Sequence, residues 1–379
     1  MAKRVLILGA GFGGLEVATL LSEGSGGEIE VTLIDAGEGF VFGFSKLELM
    51  FGRTTVEEVR MPYAQLDKPG VRWVRETITA IDPEALRVTT DAGSYEGDAL
   101  VIALGADYDF EATPGLAEAG DEFYSVAGAE KLAGILPGFS QGNVVIGVCG
   151  APFKCPPAPS ECALLLDDDL RARGVREQCS ISFVIPLPKP VPPSPETSAA
   201  LEAEFAERGI ELVAGRRVAS LDGDRKVAVL DDGAELPYDL FLGVPKHRAP
   251  DVVIASGMTE DGFVPVDPAT LRTAFPNVYA VGDVATAGVP KAGVFAEGAG
   301  RVVAQALLAE LAGAEPPGRH LGQGTCFIEF GDGRVASVDI DFLSGPERTG
   351  TFNPPSAELA AEKEEFGTSR RERWFGAYY

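Results

Sequence analysis

Residues 4–18 read Arg4-Val5-Leu6-Ile7-Leu8-Gly9-Ala10-Gly11-Phe12-Gly13-Gly14-Leu15-Glu16-Val17-Ala18, and this stretch decides the fold. The apolar run to Leu8 predicts a buried strand. From Leu15 apolar residues recur at helical spacing through Leu21. Between them Gly9, Gly11 and Gly14 stand in a G-x-G-x-x-G pattern. Gly9 permits a tight turn, Gly11 lets a pyrophosphate approach the backbone, and Gly14 lets the helix pack close on the strand. The helix then presents its free N–H groups and positive dipole end to the phosphates.

A glycine pattern alone is a weak signal, so its surroundings matter. Glu30–Ile34 predicts a second strand, and it ends in Asp35, 21 residues after Gly14. A carboxylate there meets a ribose diol. A glycine-rich turn that binds nothing would leave that order of strand, loop, helix, strand and acid unexplained. The reading is therefore a Rossmann-like α/β fold that binds a dinucleotide.

Composition narrows the function. The chain has 379 residues, enough for two to three domains, with 57 acidic against 32 basic residues and a formal net charge of −25. So acidic a surface argues against nucleic acid, whose phosphates need neutralising. No run of about 18 apolar residues predicts a membrane-spanning helix. No apolar leader follows Arg4, so the expected location is cytoplasmic. Five cysteines are too few for a disulfide scaffold, and two histidines, His247 and His320, give no metal site.

Two later segments widen the picture. Asp98-Ala99-Leu100-Val101-Ile102-Ala103-Leu104-Gly105-Ala106 and Thr273-Ala274-Phe275-Pro276-Asn277-Val278-Tyr279-Ala280-Val281-Gly282-Asp283 resemble the FAD-binding motifs of two-dinucleotide-binding-domain flavoproteins. The resemblance implies FAD, with Ala103 and Gly105 at one turn, Gly282 beside the cofactor, and Asp283 on its ribityl chain. Pro290-Lys291-Ala292-Gly293 then opens a predicted helix over Val294–Leu311, which places Lys291 and a helix amino terminus near the isoalloxazine.

The second domain begins differently. Asn143–Val148 predicts a strand, but Ala151-Pro152-Phe153-Lys154-Cys155-Pro156-Pro157-Ala158-Pro159-Ser160-Glu161 follows without a second G-x-G-x-x-G. Its prolines remove amide donors that a pyrophosphate needs. The next strand, Ser180–Ile185, ends in Pro186 and not in an acid. The expectation is a Rossmann layout without a nicotinamide site.

Phe153-Lys154-Cys155-Pro156-Pro157-Ala158-Pro159 resembles the first redox-cysteine motif of the sulfide:quinone oxidoreductase and flavocytochrome c sulfide dehydrogenase family. Gly324-Thr325-Cys326-Phe327-Ile328-Glu329-Phe330 resembles the second, 171 residues on. The likeness covers residues 4 to about 345. It implies that Cys155 and Cys326 lie at the flavin as a disulfide or persulfide, take sulfide, and release two electrons through FAD to a quinone or a cytochrome. Thiolate reactivity follows pKa and access. Lys154 is a candidate to favour the Cys155 thiolate, and Glu161 and His247 are candidate proton carriers. Cys149, Cys162 and Cys179 read as small buried hydrophobes, with a Cys155–Cys162 pair left open by their spacing of seven.

The chain departs from the family in two places. Phe123-Tyr124-Ser125-Val126-Ala127 lacks the third cysteine of many quinone-reducing members. Phe40-Val41-Phe42-Gly43-Phe44-Ser45 lacks the cysteine that attaches FAD covalently in flavocytochrome-type members, so FAD is expected to be non-covalent. The expected layout is two Rossmann-like domains plus a small carboxyl-terminal α+β domain. Residues 1–107 and 249–315 form the discontinuous FAD domain, 108–248 the second, and 316–379 the third. The tail, Arg370-Arg371-Glu372-Arg373-Trp374-Phe375-Gly376-Ala377-Tyr378-Tyr379, reads either as a peripheral membrane contact on the cytoplasmic face or as a segment docked on protein. A quinone channel beside Phe327 and Trp374 is one expectation. The competing functions are an NADH:quinone or NADH:disulfide oxidoreductase, and an electron-relay subunit docking on a cytochrome. The oligomeric state is not legible.

Overall fold

The computed structural model describes residues 2–376. The chain runs β1 (Lys3–Leu8), α1 (Phe12–Gly24), β2 (Ile29–Asp35), β3 (Val71–Arg75) and β4 (Ala99–Ile102). A second set follows: β5 (Gly142–Val148), α2 (Ala158–Ala172), β6 (Cys179–Ile185), β7 (Ile210–Ala214) and β8 (Leu240–Val244). The chain then gives β9 (Val278–Ala280) and α3 (Gly293–Leu311). It closes with β10 (Gln323–Gly331), β11 (Arg334–Asp341), β12 (Thr349–Ser356) and α4 (Ala357–Phe375).

Both large sheets are parallel, and their central strands β1, β4, β5 and β8 read as apolar runs rather than alternating ones. The first has the order β9-β4-β1-β2-β3, so a strand from late in the chain completes it. The second runs Asp121–Glu122, β8, β5, β6, β7. In the first sheet β1, and in the second β5, lies between neighbours reached in opposite directions, and ligands bind at the strand ends beside that switch point. The third sheet, β10-β11-β12, is antiparallel. Ile328, Phe330, Val338 and Ile340 from it join one buried cluster with Leu164, Phe183 and Leu242 of the second set.

Helix α4 crosses back to the first sheet. Trp374 is fully buried there and Phe375 nearly so, in one cluster with Leu15, Val101 and Tyr279. The cause is Glu16, buried in α1. Its Oε2 accepts from Trp374 Nε1 at 2.9 Å and from Arg373 Nε at 3.0 Å. Its Oε1 accepts from Arg301 Nε at 2.9 Å. Burial pushes the Glu16 carboxyl up, but the bonds from Arg373, Trp374 and Arg301 outweigh it and hold it below the usual range. The membrane reading of the tail is thereby corrected for Trp374 and Phe375: the protein itself covers them. Tyr378 and Tyr379 lie outside the described residues.

Candidate active site

The amino termini of α1, α2 and α3 converge on one pocket, lined among others by Gly11, Phe12, Ala158, Lys291, Ala292 and Gly293. Each brings a positive dipole end, and α1 and α3 bring free N–H groups as well; at α2 the Ala158 amide is taken by the Cys155 carbonyl and Pro159 has none. The glycine loop shows why its residues are what they are. Gly9 has φ +98°, and a Cβ on it would meet the Ala103 carbonyl oxygen at 2.4 Å. A Cβ on Gly14 would meet the Gly9 carbonyl oxygen at 1.9 Å, so strand and helix touch there backbone to backbone. A Cβ on Gly11 meets nothing within 4 Å, because Gly11 faces the pocket. Asp35 ends β2 and holds the loop: its Oδ2 accepts from the Ala10 amide at 2.7 Å.

Ala103, Gly105, Gly282 and Asp283 line the same pocket. Asp283 Oδ1 is buried with no hydrogen-bond partner, and burial raises its carboxyl. A buried unpaired carboxylate oxygen awaits a donor, as a polyol hydroxyl supplies. Lys291 Nζ donates to the Asp283 carbonyl at 2.5 Å, and burial lowers its ammonium to about 8. Glycine loop, orphaned acid and dipole ends together fit FAD.

The cysteine loop closes the far wall. Cys155 sits at φ +45°, a backbone conformation that costs a non-glycine residue roughly 1–3 kcal/mol and that its neighbours must hold. Its amide donates to the Lys291 carbonyl at 2.6 Å, and its carbonyl accepts from the Ala158 amide at 2.9 Å. Burial pushes the Cys155 thiol well up, and the charges of Glu161 and Cys326 push it further; the Ala158 amide opposes them and loses. Cys326, half-buried on β10, is raised to about 12 by burial and by Glu161. Cys162 is fully buried in the α2 core, and Cys149 and Cys179 are buried too. All five cysteines are free thiols.

Glu161 lines the pocket and is buried, and its Oε1 accepts from the Glu329 amide at 3.0 Å. Burial, aided by the charge of Glu329, raises its carboxyl to about 7. It is a group that takes and gives protons near neutral pH, beside two thiols that need a base.

Two candidates are corrected. Lys154 Nζ turns to the Ala106 carbonyl at 2.8 Å and lies 4.3 Å from the Tyr108 ring centroid, so it does not serve the Cys155 thiolate. His247 is 1% exposed, its Nδ1 held 2.8 Å from the Pro245 carbonyl and its ring edge-on to Tyr108 and Tyr124. Burial and the Lys154 charge lower it to about 3, so it stays neutral where a proton carrier must titrate.

Three groups escaped sequence reasoning. Lys46 lines the pocket, donates to the Tyr124 carbonyl at 2.7 Å, and is lowered to about 8 by burial. Tyr124 stands where the third cysteine was sought, and its hydroxyl is buried without a partner. Phe44, which lines the pocket, joins Phe327 and Phe366 in a half-buried aromatic patch over the buried Phe42, with Lys363 Nζ 5.2 Å from the Phe44 centroid. Of these rings the sequence pointed to Phe327 alone, as a wall of an expected quinone channel; the phenylalanine-rich loop at 40–44 was read for a missing cysteine.

Comparison with known proteins agrees with this geometry. The mitochondrial sulfide:quinone oxidoreductase of Mus musculus is 27% identical over 369 residues, 92% of this chain and 80% of that protein. The solved structure of the sulfide:quinone oxidoreductase from Aquifex aeolicus shares the fold, with a TM-score of 0.88 over 99% of this chain and 92% of that one, at 24% identity. A type II NADH:quinone oxidoreductase of Staphylococcus saprophyticus is 33% identical over 133 residues, only 35% of this chain and 33% of that protein. Residues 3–306 match the pyridine nucleotide-disulphide oxidoreductase family, and the chain belongs to it.

Proposed function

We propose that this chain is an FAD-dependent oxidoreductase that oxidises sulfide through Cys155 and Cys326 and passes the electrons to a quinone. One observation supports the reading: Cys155 and Glu161 line the pocket that also holds the glycine loop and Asp283, and Cys326 lies near enough for its charge to bear on Cys155. FAD is held non-covalently there by Gly9, Gly11, Gly14, Asp35, Ala103, Gly105, Gly282, Asp283 and Lys291. Bound, it supplies a two-electron store between sulfur and acceptor.

The chain's own residues do the rest. In the oxidised state Cys155 and Cys326 share a disulfide. Hydrosulfide attacks one sulfur, the S–S bond breaks, and a persulfide and a thiolate result. The thiolate is disfavoured in this buried place, so it is a strong donor. Glu161, ionised for half the time near pH 7, takes the proton that the bound sulfur sheds. The half-buried Phe44, Phe327 and Phe366 offer an apolar face for a quinone ring, with Trp374 behind it in the core. No helix among the described residues is long and apolar enough to cross a membrane, so contact with a quinone-bearing bilayer is peripheral.

The test is sulfide-dependent quinone reduction by the purified flavoprotein. Turnover that needs both cysteines supports the reading, and none with any short-chain quinone overturns it. The segmental likeness to an NADH enzyme keeps NADH as the second donor to try. Against it, the amino terminus of α2 is occupied by the cysteine loop rather than open to a pyrophosphate.

A further inference from the structure

Tyr124 follows the short strand Asp121–Glu122 and precedes a helix over Val126–Ile135, and its backbone is pinned on both sides. Its amide donates to Glu122 Oε2 at 2.6 Å. Its carbonyl accepts from Lys46 Nζ and from the Tyr108 hydroxyl, each at 2.7 Å. The residue is 6% exposed, its ring centroid 5.1 Å from that of Phe123 and its plane edge-on to His247 at 5.5 Å. Amide and carbonyl are thus engaged, while the hydroxyl is buried without a partner. A buried O–H without an acceptor destabilises a fold unless a bound group supplies one. Tyr124 lines the cofactor pocket with Cys155, and the charge of Cys155 bears on its hydroxyl more than that of Tyr108, Cys162 or Glu161. Burial pushes the phenol well above its usual range, so it stays a donor at any working pH.

Cys155 has the complementary need. A thiolate freed in this buried place requires donors. The Ala158 amide, which favours it, already serves the Cys155 carbonyl. Lys154 Nζ turns to the Ala106 carbonyl and Lys46 Nζ to that of Tyr124. We propose that the Tyr124 hydroxyl donates to the anionic sulfur that forms at Cys155 when the disulfide opens. Hydrosulfide adds to one sulfur of the pair, and the S–S electrons leave on the other. Cys155 then carries either the thiolate or the persulfide, whose proton passes to Glu161, and the phenol keeps its own proton throughout. Tyr124 touches the reacting atom, so it is a catalytic residue. The contact itself requires only a Cys155 thiolate; its part in turnover rests on the proposed sulfide chemistry. The other charged and titratable groups around the pair are Lys46, Tyr108, Glu161, Cys162, Asp283 and Cys326.

The test uses holoenzyme carrying Cys326→Ser, reduced so that Cys155 is a free thiol, with and without Tyr124→Phe. Alkylation of Cys155 by iodoacetamide is followed by mass spectrometry of its peptide as pH is raised. The thiolate limb should lie at least about one pH unit higher in Tyr124→Phe, for the loss of one hydrogen bond to a charged sulfur. At pH 7 alkylation should slow about threefold, because a tenfold smaller thiolate fraction is partly offset by greater nucleophilicity. The variant removes an oxygen that has no protein partner, so its melting temperature should not fall and its FAD dissociation constant should stay within about threefold of the parent. An unmoved limb overturns the proposal: with weakened FAD binding it gives the hydroxyl to the cofactor, and with a lower melting temperature to the fold. In Tyr124→Phe alone, sulfide-dependent kcat should fall about tenfold with the quinone KM within about twofold, and undiminished kcat also overturns the proposal. Should the wild type reduce no quinone with sulfide, the functional reading falls, while the alkylation limb still decides the contact.

Discussion

The Cys155 amide donates to the Lys291 carbonyl at 2.6 Å, tying the cysteine loop of the second sheet to the segment that opens α3 in the first. The bond fixes a thiol of one half of the molecule against the cofactor pocket of the other. Neither residue reaches the other through its side chain, so the register belongs to the backbone and survives substitution of either side chain. Cys155→Ser and Cys326→Ser should therefore melt within a few degrees of the wild type by calorimetry while failing to retain sulfane sulfur after sulfide treatment, read by mass spectrometry. Sulfur retention in both variants would remove the cysteines from the chemistry.

Asp283 Oδ1 has no partner in the protein. Asp283→Ala should weaken FAD binding by about 1.5–3 kcal/mol, the worth of a hydrogen bond to a charged group. The check is the FAD dissociation constant from quenching of flavin fluorescence.

The glycine loop separates fold from binding. Gly14→Ala forces a Cβ to within 1.9 Å of a backbone oxygen and should cost at least about 1–3 kcal/mol of stability. Gly11→Ala meets no protein atom within 4 Å and should melt like the wild type as apoprotein, yet bind FAD poorly because the added methyl enters the cofactor's space. Paired thermal melts and FAD titrations decide it.

Glu161 makes stability depend on pH. Its carboxyl is raised from 4.5 to about 7, so between those values the folded state binds more protons than the unfolded one. Stability is full below pH 4.5 and falls as pH rises to 7, by about 3 kcal/mol in all. Glu161→Gln keeps the acceptor oxygen for Glu329 and should be more stable than the wild type at pH 8 but not at pH 4.5, by urea denaturation at the two values.

The tail tests the fold's closure. Trp374→Ala removes a fully buried side chain that packs 5.6 Å from Phe12 and 5.5 Å from Phe40. A loss of about 3–5 kcal/mol is expected, with faster FAD release because Phe12 and Phe40 line the pocket. Unchanged stability together with lost binding to lipid vesicles would return Trp374 to the membrane.

What the chain's own order reveals depends on how local the constraint is. Gly9, Gly11 and Gly14 were legible because they stand together in one motif of six residues between a strand and a helix. Cys155 and Glu161 were picked out because residues 153–159 resemble a redox-cysteine motif and Glu161 follows it, and the fold brings both to the pocket. Lys46 and Tyr124 were not, since only packing of distant elements brings them to that pocket. His247 and Lys154 misled for another reason: sequence gives a residue's chemistry but neither its burial nor the direction of its side chain. Trp374 looked like a membrane anchor because its partner, Glu16, lies 358 residues away.

The most direct test mixes the oxidised holoenzyme anaerobically with sulfide, and separately with NADH, while following the visible flavin absorbance. The account predicts rapid bleaching by sulfide, none by NADH, and no sulfide bleaching in Cys155→Ser. Bleaching by NADH, or sulfide bleaching that persists in Cys155→Ser, would contradict it.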